Sequence, residues 1–302
     1  MKTAFVTGAS GFIGRHLVAT LERTGWRVAV PRHSSDAGEG PDLGPFPWTA
    51  ARIRAALSEV APDVVFHLAG LMRASSAAEL FQVNTVLAAQ LLDAVARQKR
   101  APKVVLAGSA AEYGRVSREA VPVNEAHPCR PITDYAVSKH SQTLLGLARS
   151  TPGQPVLIAR IWNPVGAGMP GHLALPNFAA QIVTLPPEGG VLRVGDLDVA
   201  RDFIDVWELA RLLVRLAENP DACDVVNLCS GRAYVLRELV ESLARRSGRS
   251  VKLVQDPSRI RVGEPPILYG DTSRLESFGL RPVPPDFDAI LPRLLSVAAH
   301  QP

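Results

Sequence analysis

Residues 3–14 read TAFVTGASGFIG, and this stretch decides the fold. Thr3 to Thr7 are apolar or β-branched with no polar alternation, the pattern of a strand covered on both faces. Gly8, Gly11 and Gly14 follow in Gly-x-x-Gly-x-x-Gly spacing. The next run, FIGRHLVATLERTG, has the apolar periodicity of an amphipathic helix. Gly8 allows a tight turn, Gly11 lets backbone approach a pyrophosphate, and Gly14 lets the helix pack closely. The helix start then offers N–H groups to an anion. Gly8, Ser10, Gly11, Phe12, Ile13 and Gly14 are therefore candidate cofactor-binding residues.

The same alternation runs outward along the chain. Apolar runs WRVAVP, DVVFHLAG, KVVLAGS and PVLIARIWNP are separated by helical stretches such as RIRAALSEV and YAVSKHSQTLLGLARS. Unalternated strands spaced by helices imply an α/β fold, a doubly wound parallel sheet of Rossmann type. Residues 31–47 are rich in Pro and Gly and read as an irregular surface loop. After Pro164 the pattern blurs into Gly-, Pro- and Arg-rich loops, with DVVNLCSG as one more buried strand. The expected division is a nucleotide-binding domain at 1–165 and about 201–250. A smaller discontinuous lobe takes about 166–200 and 251–302.

Composition narrows the classes. The chain has 302 residues, a net charge of +4 and no block of like charges, so no nucleic-acid face is demanded. A mild positive excess suits small anionic substrates. No apolar run is long enough to span a membrane, and the start shows no signal-peptide core, so a cytoplasmic enzyme is expected. Cys129, Cys223 and Cys229 match no metal-ligand spacing and no disulfide framework; no metal is expected.

The cofactor's identity turns on the end of the second strand. A ribose without a 2′-phosphate usually meets an Asp or Glu there. Here the strand ends in Pro31, Arg32 and His33, with no acid before Asp36. Arg32 either pairs with a 2′-phosphate or is a surface charge; the first reading favours NADP(H), with NAD as the alternative. Asp42 is a candidate for the adenine side.

Tyr135 and Lys139 stand at i and i+4 in YAVSK, on one face of a helix. An ammonium beside a phenol is expected to lower the phenol's pKa. Tyr135 then donates a proton to a carbonyl oxygen as hydride reaches the carbon. Lys139 is also placed to hold the nicotinamide ribose. Ser109, at the end of KVVLAGS, supplies a hydroxyl to fix the carbonyl.

Together TGASGFIG, FHLAG, Ser109 with Tyr135-x-x-x-Lys139, ARIWNPVGAG and ARDFIDV resemble the extended short-chain dehydrogenases/reductases, the nucleotide-sugar epimerase/dehydratase family. The resemblance implies Leu68 and Ala69 at the cofactor and a nucleoside-diphosphate sugar as substrate. It implies Asn163, Arg201 and Arg261 at the substrate, with Ser109 and Tyr135, and Asn84 as a support. It also implies a homodimer built on the helices at about 79–98 and 135–149, although their apolar faces fit a buried core equally well.

Within that family the dehydratases carry an Asp-Glu pair directly after the catalytic hydroxyl residue. Here those places are Ala110 and Ala111, and a methyl group moves no proton. Family members that epimerise before reducing use a Cys at the second place with a distant His. Ala111 stands there, so His172 reads as a polar loop residue. Hydride transfer remains: a 4-ketoreductase consuming NADPH, or a 4-epimerase with retained NAD. LPNFAAQI, VGDLDVARDFIDV, NLCSGRAYVLREL and LYGDTSRL look like the GDP-6-deoxy-4-keto-mannose reductases, which form GDP-rhamnose. PITDYAVSK departs from the family in having Thr133 and Asp134 before the tyrosine. Outside the enzymes, the alternative is a non-catalytic dinucleotide-binding regulator, which usually loses the Tyr/Lys pair.

Overall fold

The computed structural model describes residues 1–32, 40–260 and 265–300. The first strand, β1 (Thr3–Thr7), is fully buried and leads through the glycine turn into α1 (Phe12–Arg23). Next come β2 (Arg27–Ala29), α2 (Ala50–Val60), β3 (Val64–His67) and α3 (Ala77–Phe81). A π-helical turn at Gln82–Val86 joins α3 to α4 (Leu87–Ala96). Then follow β4 (Lys103–Ser109), α5 (Asp134–Arg149), β5 (Val156–Ile161) and β6 (Asn163–Val165). The remainder comprises α6 (Ala174–Val183), β7 (Gly190–Val194), β8 (Ala200–Asp205), α7 (Val206–Glu218), β9 (Asp224–Leu228) and β10 (Ala233–Val235). Last are α8 (Leu236–Arg246), β11 (Val251–Gln255), β12 (Ile267–Leu268), α9 (Ser273–Ser277) and α10 (Phe287–Ala299).

Six parallel strands form the main sheet in the order β2-β1-β3-β4-β5-β9. One face is covered by α1 and α7, through Leu17, Leu21, Leu209, Leu213 and Leu216. The other is covered by α2 and α4, through Ile53, Leu57, Leu91 and Leu92. This is the doubly wound Rossmann-like sheet that the unalternated strands predict. The order reverses between β1 and β3, and a ligand crevice opens outside the carboxyl ends of strands at such a switch point. The glycine turn lies there.

The second lobe is more interleaved than the expected division at 166–200 and 251–302. In it β8 pairs with β6, β10 and β12, while β7 pairs with β11. Leu239, Val240 and Leu243 of α8 share a core with Leu175 and Ile182 of α6 and with Leu291 and Leu294 of α10. Thus β8, β10 and α8 belong to this lobe, although they fall within the 201–250 assigned to the nucleotide-binding domain. Conversely Leu275 of α9 and Leu280 pack into the core beneath the main sheet. The reason is burial: each amphipathic helix goes where its apolar stripe is covered. Among the described residues no helix is long and apolar enough to cross a membrane.

Candidate active site

The glycine turn has the geometry its spacing predicts. Gly8 adopts φ +71°, and a Cβ there would lie 2.5 Å from the backbone nitrogen of Ala69. So the turn after β1 packs directly on Leu68 and Ala69 after β3, which places all three at one crevice. A Cβ on Gly14 would lie 2.1 Å from the Gly8 carbonyl oxygen, so the close approach is of α1 to its own turn. No side chain caps α1 at Gly11, and no acid occupies its first turn. Backbone N–H groups at a helix start favour an anion. Ser10 and Gly11 are exposed, and Phe12 and Ile13 partly buried, around this opening.

Arg32 and Asp42 are brought side by side by an isolated parallel bridge between their backbones. The Arg32 guanidinium donates through Nε to the Gly40 carbonyl at 3.0 Å, which anchors it beside the end of β2. The Asp42 carboxylate accepts the Gly44 N–H at 2.7 Å in a turn. A cationic group at the adenosine-ribose end fits a dinucleotide carrying a 2′-phosphate. Asp36 lies outside the described residues.

Ser109 ends β4 and caps the short 3₁₀ turn at Ala110–Tyr113, its Oγ accepting the Ala111 N–H at 3.2 Å. Tyr135 sits in the first turn of α5, with its phenol toward the Ser109 hydroxyl, which bears on its pKa. Thr133 and Asp134, the departure noted before the tyrosine, are accounted for locally. Thr133 Oγ1 accepts the Ala136 N–H at 3.1 Å as an N-cap, and Asp134 puts a carboxylate in the first turn, where the helix dipole favours it.

Lys139 is one turn along α5 and buried; its Nζ donates to Gln142 Oε1 at 2.9 Å. Burial pushes its ammonium down to about 8, opposed by the charge of Glu112. The expected lowering of the Tyr135 pKa is reversed in this site. Burial pushes the phenol above its usual 10, the Ser109 hydrogen bond pulls it down, and Glu112 raises it again. The ammonium's contact is with Gln142, so desolvation wins. Tyr135 is therefore held in its protonated, proton-donating form.

Three side chains complete the surroundings. Asn84, in the π-helical turn, donates to the Leu71 carbonyl and Ser138 Oγ at 2.9 Å each, and accepts the Leu71 N–H at 2.8 Å. It ties the loop after β3 to α5, the supporting role the resemblance implies. Gly70, which sequence reading passed over, lies between them: a Cβ there would come within 3.1 Å of Asn84 Oδ1 and 3.6 Å of Lys139 Nζ. His67 pairs with Thr7 Oγ1 through Nδ1 at 2.7 Å, and burial pushes its pKa down to about 3, so the imidazole is neutral.

Sequence reading also passed over Glu112. Its carboxylate is fully buried and accepts the Ser109 N–H at 2.8 Å and Arg160 Nε at 3.3 Å. Cys129 and His140 reach it too: one ligand atom from each of the three lies within 4.8 Å of the others. No spacing in the chain points to that grouping. The Arg160 guanidinium pairs with the carboxylate at 3.3 Å, so the cluster reads as an ion pair rather than a cation site.

On the second-lobe side, Asn163 Nδ2 donates across the β6–β8 seam to the Asp202 carbonyl, while Arg201 Nη1 donates to the Ala200 carbonyl where β8 pairs with β10 and β12. Arg261 lies outside the described residues.

Residues 4–229 match the NAD dependent epimerase/dehydratase family. The chain is 34% identical over 288 residues to the GDP-6-deoxy-D-mannose reductase of Pseudomonas aeruginosa, covering 92% of this chain and 91% of that one. Among solved structures, RMD from Pseudomonas aeruginosa complexed with NADPH superimposes with a TM-score of 0.82 at 30% identity, covering 100% of both chains. The UDP-glucose 4-epimerase from Brucella ovis in complex with NAD gives a TM-score of 0.82 at 27% identity, covering 99% of both. The matched span holds the glycine turn and the Ser109, Tyr135 and Lys139 positions together, and the chain belongs to the NAD-dependent epimerase/dehydratase family as an NAD(P)-dependent oxidoreductase.

Proposed function

We propose that the chain reduces the C4 ketone of a nucleoside-diphosphate 4-keto-6-deoxyhexose with NADPH, GDP-4-keto-6-deoxymannose being the favoured substrate. One observation carries the reading. The Tyr135 phenol lies toward the Ser109 hydroxyl, with Ala110 and Ala111 in place of an acid or base directly after Ser109. Bound NADPH would supply the hydride for the carbonyl carbon. Tyr135 gives its proton to the carbonyl oxygen, and Ser109 Oγ donates to the same oxygen as charge develops. Lys139 holds the nicotinamide ribose from the floor of the crevice. Gly8, Ser10, Gly11, Phe12, Ile13 and Gly14 cradle the pyrophosphate, with Leu68 and Ala69 behind it. Arg32 takes the 2′-phosphate, and Asp42 lies on the adenine side. Asn163 and Arg201 receive the sugar nucleotide's diphosphate. The similarity to the GDP-6-deoxy-D-mannose reductase supports the choice of sugar.

Incubation with NADPH and GDP-4-keto-6-deoxymannose tests this by loss of reduced-nicotinamide absorbance. No consumption with that substrate or its thymidine- and uridine-linked analogues overturns it. The 4-epimerase reading is favoured by the likeness to the NAD-bound epimerase, and it requires NAD retained through purification and turnover without added reductant.

Arg32→Ala is expected to weaken NADPH binding about 10- to 100-fold and leave NADH little changed. A charge-assisted pair with a 2′-phosphate contributes about 1.5–3 kcal/mol, at about 1.4 kcal/mol per tenfold. The two dissociation constants of the variant check this; if they move together, Arg32 is a surface charge.

The pH profile follows from Lys139. It is charged below about 8 and Tyr135 titrates above 10, so the first proton lost on the alkaline side is the lysine's. We expect kcat/KM, which reports free-enzyme ionisations, to fall as pH rises through about 8. Lys139→Arg should move that limb to higher pH, because a guanidinium keeps its charge.

The exposed apolar side chains Val86, Val137 and Leu144 lie in the π-helical turn and on α5. They are the surface we assign to a second copy in a homodimer, checked by light scattering of wild type and Leu144→Glu.

A further inference from the structure

A glutamate three residues after a serine at a helix start is ordinarily a capping box, exposed and modest in effect. Glu112 makes that box, yet its side chain is wholly buried. A buried carboxylate needs compensation. Arg160 supplies it from β5, where it is the register partner of Gly108 on β4. Arg160 is 4% exposed and lies over the Tyr113 ring at 4.6 Å. Gly108 makes room for the arrangement, since a Cβ there would sit 2.9 Å from Glu112 Oε1. That same oxygen accepts the Ser109 N–H at 2.8 Å. His140, next to Lys139 on α5, approaches the other oxygen at 3.5 Å. The carboxylate thus lies behind the strand end bearing Ser109 and beside the helix bearing Tyr135 and Lys139.

We propose that Glu112 is a positioning residue of this site: its carboxylate fixes the backbone of Ser109, and its charge, held by Arg160, bears on Tyr135 and Lys139 from behind the strand end. The assignment rests on the reductase reading of the site. Glu112 touches no reacting atom and acts through three residues that do. Its charge raises both the phenol and the ammonium, against the burial that depresses the ammonium. A reductase needs both protons in place before hydride arrives.

The test uses two double variants, since removing Glu112 alone strands a buried guanidinium and risks the fold. Glu112→Gln with Arg160→Met keeps an acceptor for the Ser109 N–H and removes the charge. Glu112→Leu with Arg160→Met removes both. Tyr135 ionisation is read from the tyrosinate difference spectrum against the same protein carrying Tyr135→Phe. Both doubles are expected to ionise Tyr135 at lower pH than wild type, by roughly half a unit or more. Below the alkaline limb, the Gln double should retain kcat, and the Leu double should lose about tenfold or more, as misplacing a reacting group does. Titrations coinciding with wild type, or a Leu double with wild-type kcat, overturn the proposal. The titration needs no substrate, so a wild type inactive on every ketone overturns the reductase reading and leaves Glu112 to be judged by the spectrum.

Discussion

Replacing Tyr135 by phenylalanine is expected to lower kcat for ketone reduction by about 10²- to 10⁴-fold, with NADPH affinity little changed. In the proposed reduction the phenol is the proton donor, and burial and the charge of Glu112 hold it above its usual 10. Ser109 lies beside it, and a serine hydroxyl is too weak an acid to replace it. Lys139, the nearest other donor on α5, is turned to Gln142 at 2.9 Å. Phenylalanine keeps the ring and its packing while removing the proton. The loss should therefore fall on kcat, with KM moving much less, since the interaction is made in the transition state. Steady-state rates with saturating NADPH, and a fluorescence titration of NADPH binding, check the two halves. A variant with wild-type turnover would show that the reacting proton does not come from Tyr135.

The second large effect is on stability. Asp202 of β8 is fully buried and collects four donors: Ser230 N–H at 2.8 Å and Ser230 Oγ at 2.7 Å on Oδ1, Gly231 N–H at 3.0 Å and Gly270 N–H at 3.2 Å on Oδ2. Burial outweighs the pull of its donors and leaves its carboxyl at about 6, so it is ionised at neutral pH. These donors come from the loop after β9, in the main sheet, and from the stretch between β12 and α9. One carboxylate thereby ties the two lobes together. Asp202→Ala strands the donors in the interior, each stranded group costing about 1–3 kcal/mol unless water enters. We expect a loss of about 3–5 kcal/mol, and a melting temperature lower by roughly 6–15 °C. Asp202→Asn should not restore it, because the amide nitrogen would face two N–H groups. Thermal melts of the three proteins decide this; an Ala variant within a degree or two of wild type would show that the clamp is replaceable by solvent.

The main sheet was legible in the chain because both cues are local. Unalternated strands between amphipathic helices call for a parallel sheet with two covered faces, and the glycine triplet places its crevice. The places of Ser109, Tyr135 and Lys139 on their elements were legible for the same reason: one ends a strand, and the other two stand a helical turn apart. The second lobe was not. Its strands are short, β6 and β10 of three residues each and β12 of two, and they pair across separations that no periodicity marks. The lobe of α8 was misread because an amphipathic stripe shows that a face is buried, not which core buries it.

Chemistry divides along the same line. The sequence by itself determined the α/β class, the dinucleotide turn, the phenol–lysine pair and the missing acids at Ala110 and Ala111. Each of these is a choice of residue type at fixed spacing along one element. Only the tertiary structure decided that Tyr135 is held protonated, that Lys139 leans on Gln142, and that Glu112 lies paired with Arg160 beneath Ser109. It also decided that Asp202 joins the lobes. The physical reason is that a proton's free energy depends on burial and on charges a few ångströms away. Folding brings those charges together from strands and helices whose separation along the chain says nothing of their distance in space.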